Sequence, residues 1–498
     1  MISTSIVSGV ISFLVLVLCI KRWLKKPAVN KKFPPSPGKL PIVGNLHQLG
    51  YLPHYDLQRL AKKHGPLMLL HFGSVPVLIV SSAETAREIM RTHDLTFANR
   101  PLYKVFKKIL YGGRDVAFAP YGEYWKQMKS IFDLQLLSSK RVQSYRFIRE
   151  EETALLVEKI RRSRGSPVNL SKMFDELTND AVCRSAFGRK LSESNDVKEF
   201  LHLLLELMEL MGNLDVGDFI PWLGWVSRVT GVDTRVDKLA KLMDDIMEAI
   251  IQQRIEESGH LDQKKQAADF VDIMLQIYNN NISNSDVPID RDSIKALIFD
   301  VFVGGTDSIS TTLEWAMTEL LRHPTSMEKL RKEVREIAKD KEIITDDDLE
   351  NMHYLKGVIK ETFRYHPAAP LLVPKLGCKD VKIKVYGVSA RTVVMINALT
   401  IGRDSVSWDD PEKFKPERFL NSSIDFKGVD FELIPFGAGR RKCPGITYAS
   451  ATIEYVLANL VQKFNWELPH GKDVDMKESP GITMRKIVPL LARASQVN

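Results

Sequence analysis

Ten residues near the C-terminal end hold the densest chemistry in the chain: Phe436-Gly437-Ala438-Gly439-Arg440-Arg441-Lys442-Cys443-Pro444-Gly445. A cysteine stands among basic residues and glycines. Glycine lets a backbone turn tightly and approach a flat ligand. Cations and inward-turned N–H groups lower a thiol's pKa, which predicts that Cys443 is a thiolate and a metal ligand. Arg441 is placed to pair with an acidic group on that ligand. Pro444 and Gly445 then release a helix predicted over 446–464. A buried structural cysteine beside a basic turn is the plainer reading, but the spacing Phe-x-x-Gly-x-Arg-x-Cys-x-Gly is too specific for it.

A second constellation interrupts a long apolar stretch. Residues 292–322 read as one helix, roughly 46 Å long, closed by His323-Pro324. Its middle is Gly304-Gly305-Thr306-Asp307-Ser308. Each glycine costs a helix about 1 kcal/mol against alanine, and local costs of this kind mark function. The glycines would let something flat lie against the helix, and Asp307 and Ser308 could pass protons. Ile298, Val301, Phe302, Val303 and Ile309 around them argue against an exposed polar turn.

Two further pairs need position to give them meaning. Trp125 and Lys129 are four apart on a predicted helix, so an indole N–H and an ammonium share a face. Solvated lysines on an amphipathic helix are the alternative. Glu361 and Arg364 also share a face, but Glu88/Arg91, Glu158/Arg161 and Glu328/Arg331 repeat that spacing. What sets the pair apart is Pro416-Glu417-Arg418-Phe419 between it and Cys443.

The elements that must carry these residues are mostly helical. Apolar spacing of three and four predicts helices over 57–64, 83–92, 150–162 and 236–257. Leu67–Phe72 and Val75–Val80 read as strands of a hairpin around Gly73-Ser74. The class is therefore mainly α with small β-sheets. A hydrophobic share of 44% over 498 residues suffices for one large core, and no linker follows residue 50. Four scattered cysteines fit a reducing compartment. The net charge of +8 suits an acidic partner or surface, but dispersed basic residues without a recognition motif exclude nucleic acid. Residues 2–20 are apolar or small and uncharged, followed by Lys21, Arg22, Lys25 and Lys26. That length is close to the roughly 20 residues of a membrane-spanning helix, and the basic flank belongs in the cytosol. A cleaved signal peptide is the competing reading. The division expected is a transmembrane anchor at 1–22, a basic and proline-rich hinge at 23–40, and one catalytic domain at 41–498.

These motifs, in this order, resemble the cytochrome P-450 family, and most closely its plant A-type members of the 71 clan. Stretches such as Leu137-Ser138-Ser139-Lys140-Arg141 and Gly217-Asp218-Phe219-Ile220-Pro221-Trp222 are similar to plant monoterpene oxidases. The resemblance implies a cytochrome P-450 fold, one large haem domain behind the anchor. It makes Cys443 the thiolate ligand of haem b iron, with Phe436, Gly437, Arg441 and Gly445 around the cofactor. It gives Trp125, Lys129 and Lys375 to the haem propionates, Gly304 and Gly305 to the distal groove, and Asp307 and Ser308 to proton delivery. Lysines replace the family's usual arginines at 126 and 129, and Ser308 its usual threonine. Phe302, Ala369, Leu372, Val373 and Ile482 would line the substrate pocket. Glu361, Arg364 and Arg418 would form a buried ion network under the cysteine loop. The implied reaction is insertion of one oxygen atom from O2 into a small apolar metabolite, most simply a terpenoid. Electrons would come from NADPH through a flavoprotein reductase at the endoplasmic reticulum membrane. Non-oxidative haem chemistry such as aldoxime dehydration, a coumarin oxidase and a non-enzymatic haem sensor are the rivals.

Overall fold

The structure is a computed structural model. It describes residues 32–190, 215–258, 269–281, 289–339, 341–469 and 473–497, with 206, 207, 210 and 212 in addition. The expected anchor, 1–22, lies outside the described residues. Among those described, no helix is long and apolar enough to cross a membrane.

The chain enters with α1 (Pro53–His64), which starts before the residue expected because Pro53 sits in its first turn. The hairpin β1 (Leu67–Phe72) and β2 (Val75–Val80) pairs antiparallel, from Leu67↔Val80 to Phe72↔Val75. The helical body comprises α2 (Glu123–Ser130), α3 (Arg146–Arg162), α4 (Leu170–Phe187), α5 (Val232–Ser258), α6 (Phe270–Asn281), α7 (Arg291–Arg322), α8 (Pro324–Ala338) and α9 (His353–Tyr365). Short strands follow: β3 (Lys375–Leu376), β4 (Val381–Ile383), β5 (Tyr386–Val388) and β6 (Val393–Ile396). The chain closes with α10 (Ile446–Lys463), β7 (Phe464–Glu467) and β8 (Leu491–Gln496).

β6 joins the first hairpin in parallel, from Val77↔Val393 to Val80↔Ile396, and β3 pairs antiparallel with β6, giving the order β1-β2-β6-β3. Alternation along β2 splits its side chains between two apolar clusters. Val77 and Ile79 meet Phe219, while Leu78 and Val80 belong with Val394 and Phe431. The main core lies among the helices, and α7 runs through it with Asp290 capping its first turn through Ser293 N at 2.9 Å.

The proline-rich segment is part of this body. Leu69 N donates to Pro35 O at 2.9 Å, and Asn45 Nδ2 donates to Gly38 O at 3.2 Å. The end of the expected hinge is thus bonded to the body it precedes. β1 leaves an edge free on this side, and Pro35 bonds it.

Candidate functional site

A cavity of about 370 Å³ lies between the cysteine loop and the middle of α7. Cys443, Phe436, Gly437, Arg441 and Gly445 form one wall. The loop is held by Cys443 N donating to Phe436 O at 3.0 Å, and Gly445 N donates to the Cys443 sulfur at 3.3 Å. Gly439 adopts φ 69° against the helical turn Glu88–Thr92, where a Cβ would stand 2.3 Å from Met90 O. Glycine is required there by both conformation and space.

The thiol differs from expectation. Burial pushes the Cys443 thiol up, and Gly445 N–H, Lys129 and Lys442 offset this only partly. The loop's cations are engaged elsewhere: Arg440 pairs with Asp94 at 2.8 Å, and Arg441 is turned to backbone carbonyls. Apolar surroundings outweigh the basic residues counted in the sequence, so a bound metal must stabilise the thiolate.

Arg441 donates to Ala98 O at 2.7 Å, to Val116 O at 3.0 Å and to Ala119 O, with its guanidinium 4.3 Å from the Trp125 ring centroid. Burial pushes it down to about 10. Trp125 and Lys129 both line the cavity. The Trp125 N–H is given to Val116 O at 3.0 Å, which uses its one donor, while the Lys129 ammonium pairs with Asp133 at 2.5 Å and keeps a third N–H. Lys375 has no hydrogen-bond partner at Nζ although it is only 2% exposed. Burial, then Arg100 and Arg441, push it down to about 7. Arg100, absent from the sequence reading, also lines the cavity and donates to Val373 O at 2.5 Å and Ala117 O at 3.2 Å. Only the Arg-Pro dipeptide at 100–101 hints at it, and that is a weak signal.

On the opposite wall the two glycines of α7 separate in role. A Cβ at Gly304 would meet nothing within 4 Å, so the helix is open to the cavity there. A Cβ at Gly305 would lie 3.0 Å from Val182 Cγ2, so that glycine also admits α4. Ser308 lines the cavity, its hydroxyl donating to Gly304 O at 2.7 Å. Asp307 is buried behind the wall. It accepts from the Thr483 hydroxyl and pairs with Arg485 at 3.0 Å, and Arg485 pairs in turn with Asp175 on α4. The sequence predicts that Gly481-Ile482-Thr483 forms the tip of a pocket-lining hairpin, and Thr483 does line the cavity in this last hairpin, closed by the bridge Glu478↔Lys486. Its bond to Asp307 and the parts of Arg485 and Asp175 have no local signal.

Ala369, Leu372, Val373 and Ile482 line the cavity. Phe302 does not. It is 0% exposed and stacks on Phe187 at 5.0 Å, while Phe299, Val301 and Val303 face the space. The correction is one of helical phase: the cavity stripe of α7 passes through 301, 304, 305 and 308.

Beneath the loop, Glu361 takes both Arg364 Nε and Nη2, at 2.7 and 2.8 Å, and Arg418 Nε at 3.0 Å. Glu361 and Arg364 are fully buried, and Lys415 N adds a bond to Glu361 at 2.7 Å. Phe363 on the same helix meets Phe436 edge-on at 5.1 Å, which links this network to the cysteine loop.

The chain belongs to the cytochrome P450 family, whose model matches residues 34–491. It is a haem-thiolate monooxygenase served by a redox partner. It is 55% identical over 482 residues to Cytochrome P450 71A8 of Mentha piperita, covering 96% of this chain and 93% of that one. It is 46% identical to norfluorocurarine oxidase of Strychnos sp, covering 96% and 95%. A zebra fish cytochrome P450 structure with abiraterone has the same fold, with TM-score 0.77 at 23% identity over 90% of this chain and 100% of that one.

The residues present fit haem. The cavity offers one thiol on one wall and an open helix groove at Gly304 on the other. At one edge, Arg100, Arg441 and the partnerless Lys375 converge. Buried like charges need an anion, and the two propionates of a haem supply it.

Proposed function

We propose that this enzyme inserts one oxygen atom into a small apolar plant specialised metabolite, most simply a terpenoid. The observation that carries this is the cavity wall of Ala369, Leu372, Val373, Ile482, Phe299 and Val301. Such a surface recognises shape and apolar area. About 370 Å³ shared with the cofactor favours a small substrate.

The haem, when bound through Cys443, supplies oxygen activation, favoured by electron donation from the thiolate. The chain's own residues do the rest. Lys375, Arg100 and Arg441 hold the propionate edge. The apolar wall orients the substrate and excludes water. Thr483 supports a proton route: it stands on the cavity wall and donates to Asp307, which is not on that wall. Thr483 Oγ1 donates to Asp307 Oδ2 at rest; once Asp307 takes up a proton and the hydroxyl turns to the cavity, Oδ2 donates to Thr483 Oγ1 as that hydroxyl gives its own proton to the cavity. Arg485 bridges Asp307 and the half-exposed Asp175 and holds both carboxylates in place, without itself passing a proton. Ser308 would receive the proton at the groove.

Electrons come from NADPH through a flavoprotein reductase, and residues 1–22 anchor the protein in the endoplasmic reticulum with the catalytic domain cytosolic. Exposed Ile42, Trp222, Trp225 and Val229 support membrane contact at that end. Ile42 and the turn before Trp222 are neighbours there, because Gly73 N bonds Val43 O and Ser74 N bonds Phe219 O.

The test is expression with a plant reductase and a screen of terpenes, coumarins, aldoximes and norfluorocurarine. A substrate-induced spectral shift followed by an oxygenated product, dependent on NADPH and O2, is expected for a terpene. Conversion of an aldoxime without either would replace this reading.

A further inference from the structure

Asp115 and Asp300 come from distant parts of the chain and meet at the cavity's edge. Asp115 lies in the loop before α2 and is 0% exposed. Asp300 is on α7 and lines the cavity. Asp300 Oδ2 accepts from Val116 N at 2.6 Å and from Ala117 N at 3.3 Å. Asp115 Oδ2 accepts from Phe118 N at 2.8 Å, while its Oδ1 is buried with no donor. The two carboxyls are bonded to consecutive amides of one turn, 116–118, and each shifts the other's pKa. Two carboxylates cannot be neighbours in such a place unless a proton lies between them.

We propose that Asp115 and Asp300 share one proton, and that this acid pair is the clasp holding the cavity loop 113–119 onto α7. The proton resides on Asp300 and is donated to the otherwise orphaned Asp115 Oδ1. Both positions are positioning residues. Through Val116 O and Ala119 O the loop receives Arg441, and through Ala117 O it receives Arg100. Its Val116, Ala117 and Phe118 face the cavity. One shared proton thus sets both the cations at the propionate edge and part of the substrate wall.

The surroundings agree. Burial raises both acids. The contact lowers Asp115, which stands at about 6, and raises Asp300 well above the usual carboxylate range. Arg441 faces the pair from the cysteine loop, Arg100 from the segment before α2, and Tyr124 from α2. Lys375 lies beyond Arg100. An acid held above its unfolded pKa favours the folded contact while protonated, and that contribution is lost as pH rises through the raised value. The shared proton belongs to Asp300, so the clasp persists once Asp115 ionises near 6 and weakens only as pH rises through Asp300's raised value.

The experiment is hydrogen–deuterium exchange on the full-length, haem-loaded protein from pH 6 to 9. The readout is the Val116 and Ala117 amides, normalised to the exchange rate of an unstructured peptide. Protection in the wild type should hold as Asp115 ionises and fall as pH passes Asp300's raised value, by up to about tenfold per unit as one proton is lost. Asp300→Asn supplies a permanent donor and should flatten the profile at high protection. Asp300→Ala should show low protection at every pH. Asp115→Asn gives Asp300 a donor in place of the proton and should also flatten the profile, which keeps the test open if Asp300→Asn does not fold. A flat wild-type profile, or an unchanged slope in both asparagine variants, overturns the proposal.

Discussion

The cavity's two polar walls are built in opposite ways. The cysteine wall comes from ten consecutive residues whose cations are bonded away from the sulfur. The α7 wall is assembled from three segments: Asp307 on α7, Thr483 and Arg485 on the last hairpin, and Asp175 on α4. One wall keeps charge off its ligand, and the other leads protonatable groups toward the cavity. A thiolate ligand needs a dry, fixed setting, whereas proton supply needs a chain of exchangeable groups. Breaking each wall should therefore give a different kind of failure.

The largest effect belongs to the cysteine wall. Cys443→Ser removes the thiolate, and the reduced carbon-monoxide complex should lose the absorption band that thiolate ligation produces. Survival of that band would assign the ligand to another cysteine. Next comes the support beneath. Glu361→Gln leaves Arg364 and Arg418 without a buried counter-charge, and removing one partner of such a pair costs about 3–5 kcal/mol. Thermal unfolding and the yield of haem-loaded protein measure this; a variant of normal yield and stability would contradict the network's supporting role.

The contrast also explains what could be read from sequence. The cysteine loop, the hairpin 67–80 and the long helix were legible because each follows from neighbours along the chain: glycine spacing, alternation, apolar period. Arg100, the tie of Thr483 to Asp307, Arg485 and the partner of Asp300 were not, because each acts across a long gap in the chain. Phe302 shows a finer limit. Its apolar character was evident, but the face of α7 it takes depends on whether α4 or the cavity lies opposite. The cause of the Cys443 thiolate has the same limit: the loop's composition is basic, but burial outweighs Lys129 and Lys442, so the thiolate rests on the metal it binds.

A third, smaller effect concerns Lys375. Burial has lowered its pKa to about 7, against 10.5 ordinarily. Above that value the folded protein without haem keeps Lys375 neutral while the unfolded chain is protonated, so this group adds stability as pH rises between those values. Binding a propionate restores the charge and takes up a proton. Haem affinity in the wild type should therefore fall with pH between 7 and 10 relative to Lys375→Met, by up to about tenfold per unit. Parallel profiles would show that Lys375 does not meet the anion.

The smallest effect separates Ser308 from Thr483. The Ser308 hydroxyl is bonded to Gly304 O, one turn back. Such a bond satisfies the hydroxyl within the helix and draws it from the cavity. Thr483 instead bonds Asp307, the carboxylate behind the wall. Loss of the Thr483 hydroxyl should interrupt proton transfer, while loss of the Ser308 hydroxyl removes only a group at the end of the path. The measurement is product and hydrogen peroxide per NADPH. Thr483→Val should lose about tenfold in product per NADPH, the low end of what one proton-transfer group contributes, with the remainder leaving as peroxide. Ser308→Ala should lose only about twofold to threefold, and Ser308→Thr should keep product formation. Asp307→Asn should slow turnover as a whole, because it interrupts supply upstream of both hydroxyls. If Ser308→Ala uncouples more strongly than Thr483→Val, the path runs through α7 itself, and the last hairpin only shapes the cavity.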